Sequence, residues 1–165
     1  MLVIGNSFCV AALRNAPEIV GDGVSTVREL IHGKNTALAK LGKSDSRVPI
    51  DQETERCIAA FGYGIDNLVS EGVRLRIRNN CNVHTGGSIQ DITNKINSRV
   101  KKVAYEISTI LKTPVLGIDL IMPDIGGSDY VFIEANERPA LVNHEPHDTA
   151  GNFIRFLFPG ISKSN

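Results

Sequence analysis

Residues 114–122 and 130–135 constrain this chain most: two β-branched, largely apolar runs separated by Pro123-Asp124-Ile125-Gly126-Gly127-Ser128-Asp129. Runs of that kind read as strands, and a loop rich in Pro, Gly, Asp and Ser between them reads as a hairpin connection. If the hairpin is symmetric about Gly126-Gly127, Asp119 falls opposite or nearly opposite Glu134. Asn136, two residues on, then shares the face of Glu134, because strand side chains alternate. Carboxylates facing each other across strands repel. A divalent cation relieves that repulsion, and Mg²⁺ commonly takes one or two carboxylates together with substrate phosphates. Asp119, Glu134 and Asn136 are therefore candidate metal ligands at a magnesium–nucleotide site. Solvated strand-end acids are the competing reading.

At 165 residues, with 42% hydrophobic and 22% charged residues, the chain has the makings of one globular domain with a real core. Formal net charge is zero, which gives no global attraction to nucleic acid or to an anionic membrane. No apolar run is long enough to span a bilayer, and Met1-Leu2-Val3-Ile4 lacks a basic region or cleavage site. Cys9, Cys57 and Cys81 are odd in number and widely spaced, as expected for reduced thiols in a cytoplasmic protein. A core-like strand starting at Met1 suggests a piece of a longer chain.

The rest organises around this hairpin. Residues 2–4 and 8–13 form a second hairpin about Gly5-Asn6-Ser7. Ser25 or Thr26 caps a helix from near Val27, with Glu29 in its first turn and Leu30, Ile31, Leu38 and Leu41 as its buried side; Gly33 is a possible interruption. Asp51 starts a short helix through Ala60, so residues 24–70 read as a helical insertion. Residues 73–78 alternate, Val73, Leu75 and Ile77 against Arg74, Arg76 and Arg78, as in a half-buried strand with a guanidinium row. From Asn97 the helical period returns through Val100, Val103, Ala104, Ile107, Ile110 and Leu111. A last helix spans about residues 149–157, Pro159 and Gly160 stop it, and residues 160–165 are expected to fray.

A second constellation is Arg78, Asn82 and Gly86-Gly87. An arginine ending a strand before a glycine-rich loop offers a forked donor and backbone amides to an anion; a solvated basic strand with a plain turn is equally compatible. The stripe is short and lacks interleaved aromatic residues, which disfavours nucleic acid. Arg14 either joins the anion site or pairs with a surface acid. His144-Glu145-Pro146-His147 has the wrong spacing for a helical metal pair, and Pro146 would break such a helix, so hydrogen-bonded loop histidines are expected. Cys81 has no sequence-local base to make it a nucleophile and reads as a semi-buried thiol.

Ala11-Ala12-Leu13-Arg14, Val20-Gly21-Asp22-Gly23, Arg78…Asn82…Thr85-Gly86-Gly87, Gly117-Ile118-Asp119 and Ile133-Glu134-Ala135-Asn136 occur in order. Together with the closing Phe156-Leu157-Phe158-Pro159, this set resembles the C-terminal half of the ATP-grasp carboxylate–amine ligases, including bifunctional glutathione synthetases and cyanophycin synthetases. Within that family the chain resembles the N-acetylglutaminylglutamine synthetase group through Arg47-Val48-Pro49-Ile50-Asp51, Glu53-Thr54-Glu55-Arg56-Cys57, Gly62-Tyr63-Gly64-Ile65-Asp66 and Glu134 to Pro139 with Asn143 to Pro146.

The resemblance implies an α+β fold, a mainly antiparallel sheet with helices packed on one face, covering residues 1–165 as a C-terminal ATP-grasp subdomain. It implies ATP and two Mg²⁺ ions as cofactors, the ions held by Asp119, Glu134 and Asn136. A carboxylate would be phosphorylated and then attacked by an amine. Arg78 would be the catalytic residue, steadying charge on the transferring phosphoryl group. Asn82, Thr85, Gly86 and Gly87 would orient the acyl substrate, Arg14 would contact substrate or phosphate, and Arg138 would bind a substrate carboxylate. Small amino-acid or dipeptide substrates and the upstream ATP-grasp half, with its phosphate-reaching lysines, would be the partners; a homodimer is compatible. Without that half the isolated chain is expected to bind nucleotide weakly and not to turn over. Ala140 stands where relatives often carry glycine, and Ser88, Gln90 and Asn94 replace threonine, histidine and aspartate, which bears on substrate choice. A non-catalytic metal- or nucleotide-binding remnant is the rival from another class.

Overall fold

The computed structural model describes residues 1–144 and 147–160. In chain order these form β1 (Leu2–Ile4), β2 (Phe8–Val10), β3 (Ala12–Asn15), β4 (Glu18–Val20), α1 (Val27–Lys40), α2 (Gln52–Ala59) and β5 (Arg74–Arg76). Then come β6 (Ser88–Asp91), α3 (Ser98–Ile110), β7 (Val115–Ile121), β8 (Val131–Asn136) and α4 (Thr149–Leu157). The chain divides into two compact units, one of residues 1–13 with the described residues from 91 onward, the other of residues 14–90.

The first unit is built on an antiparallel sheet in the order β2-β1-β7-β8. Leu2, Val3 and Ile4 are all buried, so both faces of β1 must be covered. Val3 packs with Leu116, Ile118 and Ala104 of α3, while Leu2, Ile4 and Val10 pack with Phe153 of α4. The α+β class with antiparallel pairing is as expected. The helices, however, serve both faces of this sheet rather than one, because β1 is apolar at every position. The expected strand over residues 8–13 is broken at Ala11, whose N–H donates to Thr93 Oγ1 at 2.9 Å and whose carbonyl accepts from the Ile92 N–H at 3.0 Å. β3, past this break, pairs with β6 instead.

In the second unit, β4 and β5 pair with Glu18 opposite Arg76, Ile19 opposite Leu75 and Val20 opposite Arg74. Ile19, Leu75 and Ile77 join Val27, Ile31, Val48, Ile58 and Val69 in one core. Thr26 caps α1 in a reciprocal box: its hydroxyl accepts the Glu29 N–H, and the Glu29 carboxylate accepts the Thr26 N–H at 2.8 Å. Gly33 does not interrupt the helix. Its buried stripe is Val27, Ile31 and Asn35, not the expected Leu41, which is 72% exposed. Asn35 is buried because its side chain serves the Val48 backbone twice, donating to the carbonyl at 2.9 Å and accepting the N–H at 2.8 Å. Asp51 caps α2, as its sequence position indicates. At the far end of α3, Ile110 and Leu111 are exposed, and Ser108 takes the buried position by donating to the Thr113 carbonyl.

Candidate functional site

The acidic hairpin has the register its sequence suggests. Asp119 lies directly opposite Glu134, and Gly117 opposite Asn136, with an irregularity just after Asp119 where the ladder shifts. Leu2 is paired with Gly117, so Asp119 sits on the Leu2 face of the sheet, one step beyond the apolar row. Asn136 and Glu134 share that face, and the Asn136 amide donates to Glu134 Oε1 at 2.9 Å. Gly117 is closely covered: a Cβ there would stand 3.0 Å from Cβ of Pro139 and 3.7 Å from the carbonyl oxygen of Asn136. The chain after β8 thus folds back closely over the glycine that precedes Asp119.

Among the described residues no group of three or more His, Cys, Asp and Glu is gathered as a metal centre. The set here is two carboxylates and an amide. Glu134 and Asn136 are exposed and Asp119 half-buried, so their oxygens stay within reach of a hydrated ion. An all-oxygen set of this charge fits a hard cation such as Mg²⁺, which keeps several waters.

The anion-binding candidates lie in the second unit, apart from Arg138 in the first. Arg78 does not continue the exposed guanidinium row. β5 ends at Arg76, and Arg78 is 7% exposed, with Nη1 donating to Asp51 Oδ1 at 2.8 Å and to Thr54 Oγ1 at 3.0 Å. Its Nε is buried without a hydrogen-bond partner. The Thr54 N–H, and then the Arg78 guanidinium, hold the Asp51 carboxyl below its ordinary range. Asp51 and Thr54 escaped the sequence reading as partners of Arg78, although Asp51 was legible as a helix cap; nothing local links positions so far apart in the chain.

Asn82 Oδ1 accepts the His84 N–H at 2.9 Å and caps a 3-10 turn over Val83–Thr85. Thr85 donates its hydroxyl to Asn80 at 2.8 Å. The Gly86 and Gly87 amides donate to the carbonyls of Val83 and Asn82, both at 3.0 Å. They are therefore occupied within the loop, and the expected display of free amides is not present. Both glycines have packing reasons: Gly86 has φ +89° and a Cβ there would run into Val48, while one on Gly87 would lie 2.8 Å from the carbonyls of Asn15 and Asn82. Arg14 is exposed on β3. Arg138 is exposed beside Glu137, 3.9 Å away.

His147 hydrogen-bonds Asp91 at 3.0 Å, which makes it a bonded loop histidine. Glu145, Pro146 and the expected frayed tail beyond Gly160 lie outside the described residues. No helix among the described residues is long and apolar enough to cross a membrane.

No family model matches the chain. It is 31% identical over 167 residues to the glutathione biosynthesis bifunctional protein GshAB of Streptococcus mutans, covering 91% of this chain and 22% of that protein. It is 27% identical to the cyanophycin synthetase of Geminocystis herdmanii, over 96% of this chain and 20% of that protein. A crystal structure of a bifunctional glutathione synthetase from Pasteurella multocida superposes with a TM-score of 0.79 at 26% identity, over 97% of this chain and 23% of that one. The fold is therefore that of a stretch of an ATP-grasp ligase, and the chain's homologues are ligases. The chain spans about a fifth of the length of these relatives.

Proposed function

We propose that this chain is the C-terminal ATP-grasp portion of an ATP-dependent ligase that joins a carboxylate to an amine through an acyl phosphate. One observation carries the reading: Asp119 and Glu134 are cross-strand partners, with Asn136 bonded to Glu134 on the same face. Two carboxylates and an amide would suit Mg²⁺ beside a nucleotide's phosphates, and a cyanophycin synthetase and a bifunctional glutathione synthetase are among the similar proteins. When bound, the metal supplies charge neutralisation on the phosphates. Asp119, Glu134 and Asn136 would hold the ion. Arg78, whose Nη1 is committed to Asp51 and Thr54, is the residue that the resemblance assigns to steadying phosphoryl charge.

The finer reading is a synthetase of N-acetylglutaminylglutamine, a compatible solute, resting on the motifs from Arg47 to Cys57 and from Glu134 to Pro139. The glutathione- and cyanophycin-type relatives support the alternative amino-acid pairs. In the parent protein, the apolar side chains exposed on β8 would pack against the rest of the ligase.

The test is titration of the full-length ligase with Mg²⁺ and a nonhydrolysable ATP analogue, alongside Asp119→Asn and Glu134→Gln; tight binding by this chain alone would instead favour an independent nucleotide-binding module. Both substitutions should remove metal-dependent nucleotide binding and, in the full-length ligase, product formation, while circular dichroism stays unchanged. Full activity in either variant would sink the metal assignment. ATP hydrolysis by the full-length protein with each amino-acid pair separates the substrate readings.

A further inference from the structure

In the second unit, a cavity of about 350 Å³ opens between α2 and β5, lined among others by Glu18, Arg56, Phe61, Arg74, Arg76 and Asn79. None of these residues belongs to the magnesium–nucleotide set. Its lining holds three arginines and one glutamate, on a chain whose formal net charge is zero.

The local register creates this excess. Ile19 and Leu75 turn into the core, so their neighbours Glu18, Arg74 and Arg76 are left outside it. Helix α2 brings Arg56, and the turn after it brings the half-exposed ring of Phe61, to the same hollow. The protein's own acids neutralise this charge only in part. Arg56 forks onto Glu53, at 3.0 Å through Nε and 2.7 Å through Nη2. Glu18 stands 3.9 Å from Arg74, beyond hydrogen-bond reach. Arg76 makes no ion pair among the described residues. Arginine forks lining one hollow match carboxylate or phosphate oxygens, and an aromatic residue beside them suits a compact organic body.

We propose that this cavity is a binding site for a small dianion, held by Arg74 and Arg76 with Arg56 at its rim and Phe61 as a wall. The shared chemistry is two negative charges within a few ångströms, as in a short dicarboxylate or a phosphate group. Because the arginines are largely solvent-exposed, binding weakens as ionic strength rises.

Calorimetric titration of the chain without divalent cations tests this, with succinate, inorganic phosphate and acetate as probes. Saturable binding of succinate identifies a dicarboxylate site and saturable binding of phosphate a phosphoryl site; either supports the proposal, with acetate weaker than both. The double variant Arg74→Gln/Arg76→Gln should lose about tenfold or more in affinity. Arg56→Gln, on a different element, should weaken binding as well and covers the case in which the strand variant misfolds. Glu18→Gln, which raises the local positive charge, should tighten it. The proposal is overturned if neither dianion saturates by about 10 mM, or if affinity is unchanged in both arginine variants. No Mg²⁺ or nucleotide enters the measurement, so this inference and the ligase reading can fail separately.

Discussion

Arg78 spends Nη1 on two acceptors, Asp51 and Thr54, and has almost no contact with solvent. Replacing it with Met keeps much of the packing but removes both bonds and the cation from a half-exposed aspartate. Urea unfolding of Arg78→Met should show a loss of about 2 kcal/mol, in the range for charge-assisted hydrogen bonds. An unchanged midpoint would mean that the pair contributes nothing net. The sequence put Arg78 in the exposed row because period-two alternation continues through it; the strand in fact ends two residues earlier, and its acid partner comes from another element. Asp91 is a second such knot. The Thr93 hydroxyl at 2.6 Å is the main cause that lowers the Asp91 carboxyl from 3.8 to about 2, assisted by the Thr93 N–H and by His147. A carboxyl depressed in the folded state adds stability that is complete above its unfolded value and disappears as pH falls through its folded one. The contribution is thus whole above pH 3.8 and lost by about pH 2. Asp91→Asn should flatten the acid limb of stability against pH across that window, read by urea titrations at successive pH values.

Helix α1 was legible as an element because its start obeys a local rule: Thr26 and Glu29 satisfy each other's backbone donors. Thr26→Ala should cost about 1 kcal/mol by removing that cap. Gly33 gives the opposite sign. It sits inside the helix with nothing within 4 Å of where a Cβ would stand, so Gly33→Ala should raise stability by roughly 0.5–1 kcal/mol. Thermal melts of the two variants should move in opposite directions, and a fall for Gly33→Ala would mean that the helix face is not open. The acidic hairpin was equally legible, since alternation and a glycine-centred loop together set the pairing of Asp119 with Glu134. Strands β4 and β6 were not. Three or four residues are too few to display a period, and what makes Glu18–Val20 a strand is its partner β5, far along the chain. The Gly86-Gly87 loop taught the converse: composition suggested an anion cradle, whereas the turn around Asn82 occupies both amides.

At the scale of the molecule, the first unit draws its sheet from distant parts of the chain, Leu2 pairing with Gly117, while residues 14–90 build their own core. Sequence periodicity could not reveal that partition, because it lies in which apolar faces meet rather than in any local pattern. The same sheet ends at β8, an edge strand on which Val131, Phe132 and Ile133 are 60%, 45% and 51% exposed, next to Ile121 at 62%. An apolar edge of this kind offers unpaired backbone groups and greasy side chains together, the combination that natural edges usually avoid with charge, proline or cover. The isolated chain should therefore self-associate as its concentration rises, and sedimentation-equilibrium mass should climb accordingly. Val131→Lys with Ile133→Lys places two charges on β8 and leaves Glu134 and Asn136 unchanged. That double variant should hold a concentration-independent mass with unchanged circular dichroism. If its mass climbs as steeply as the parent's, association runs through another surface and β8 is not the adhesive edge.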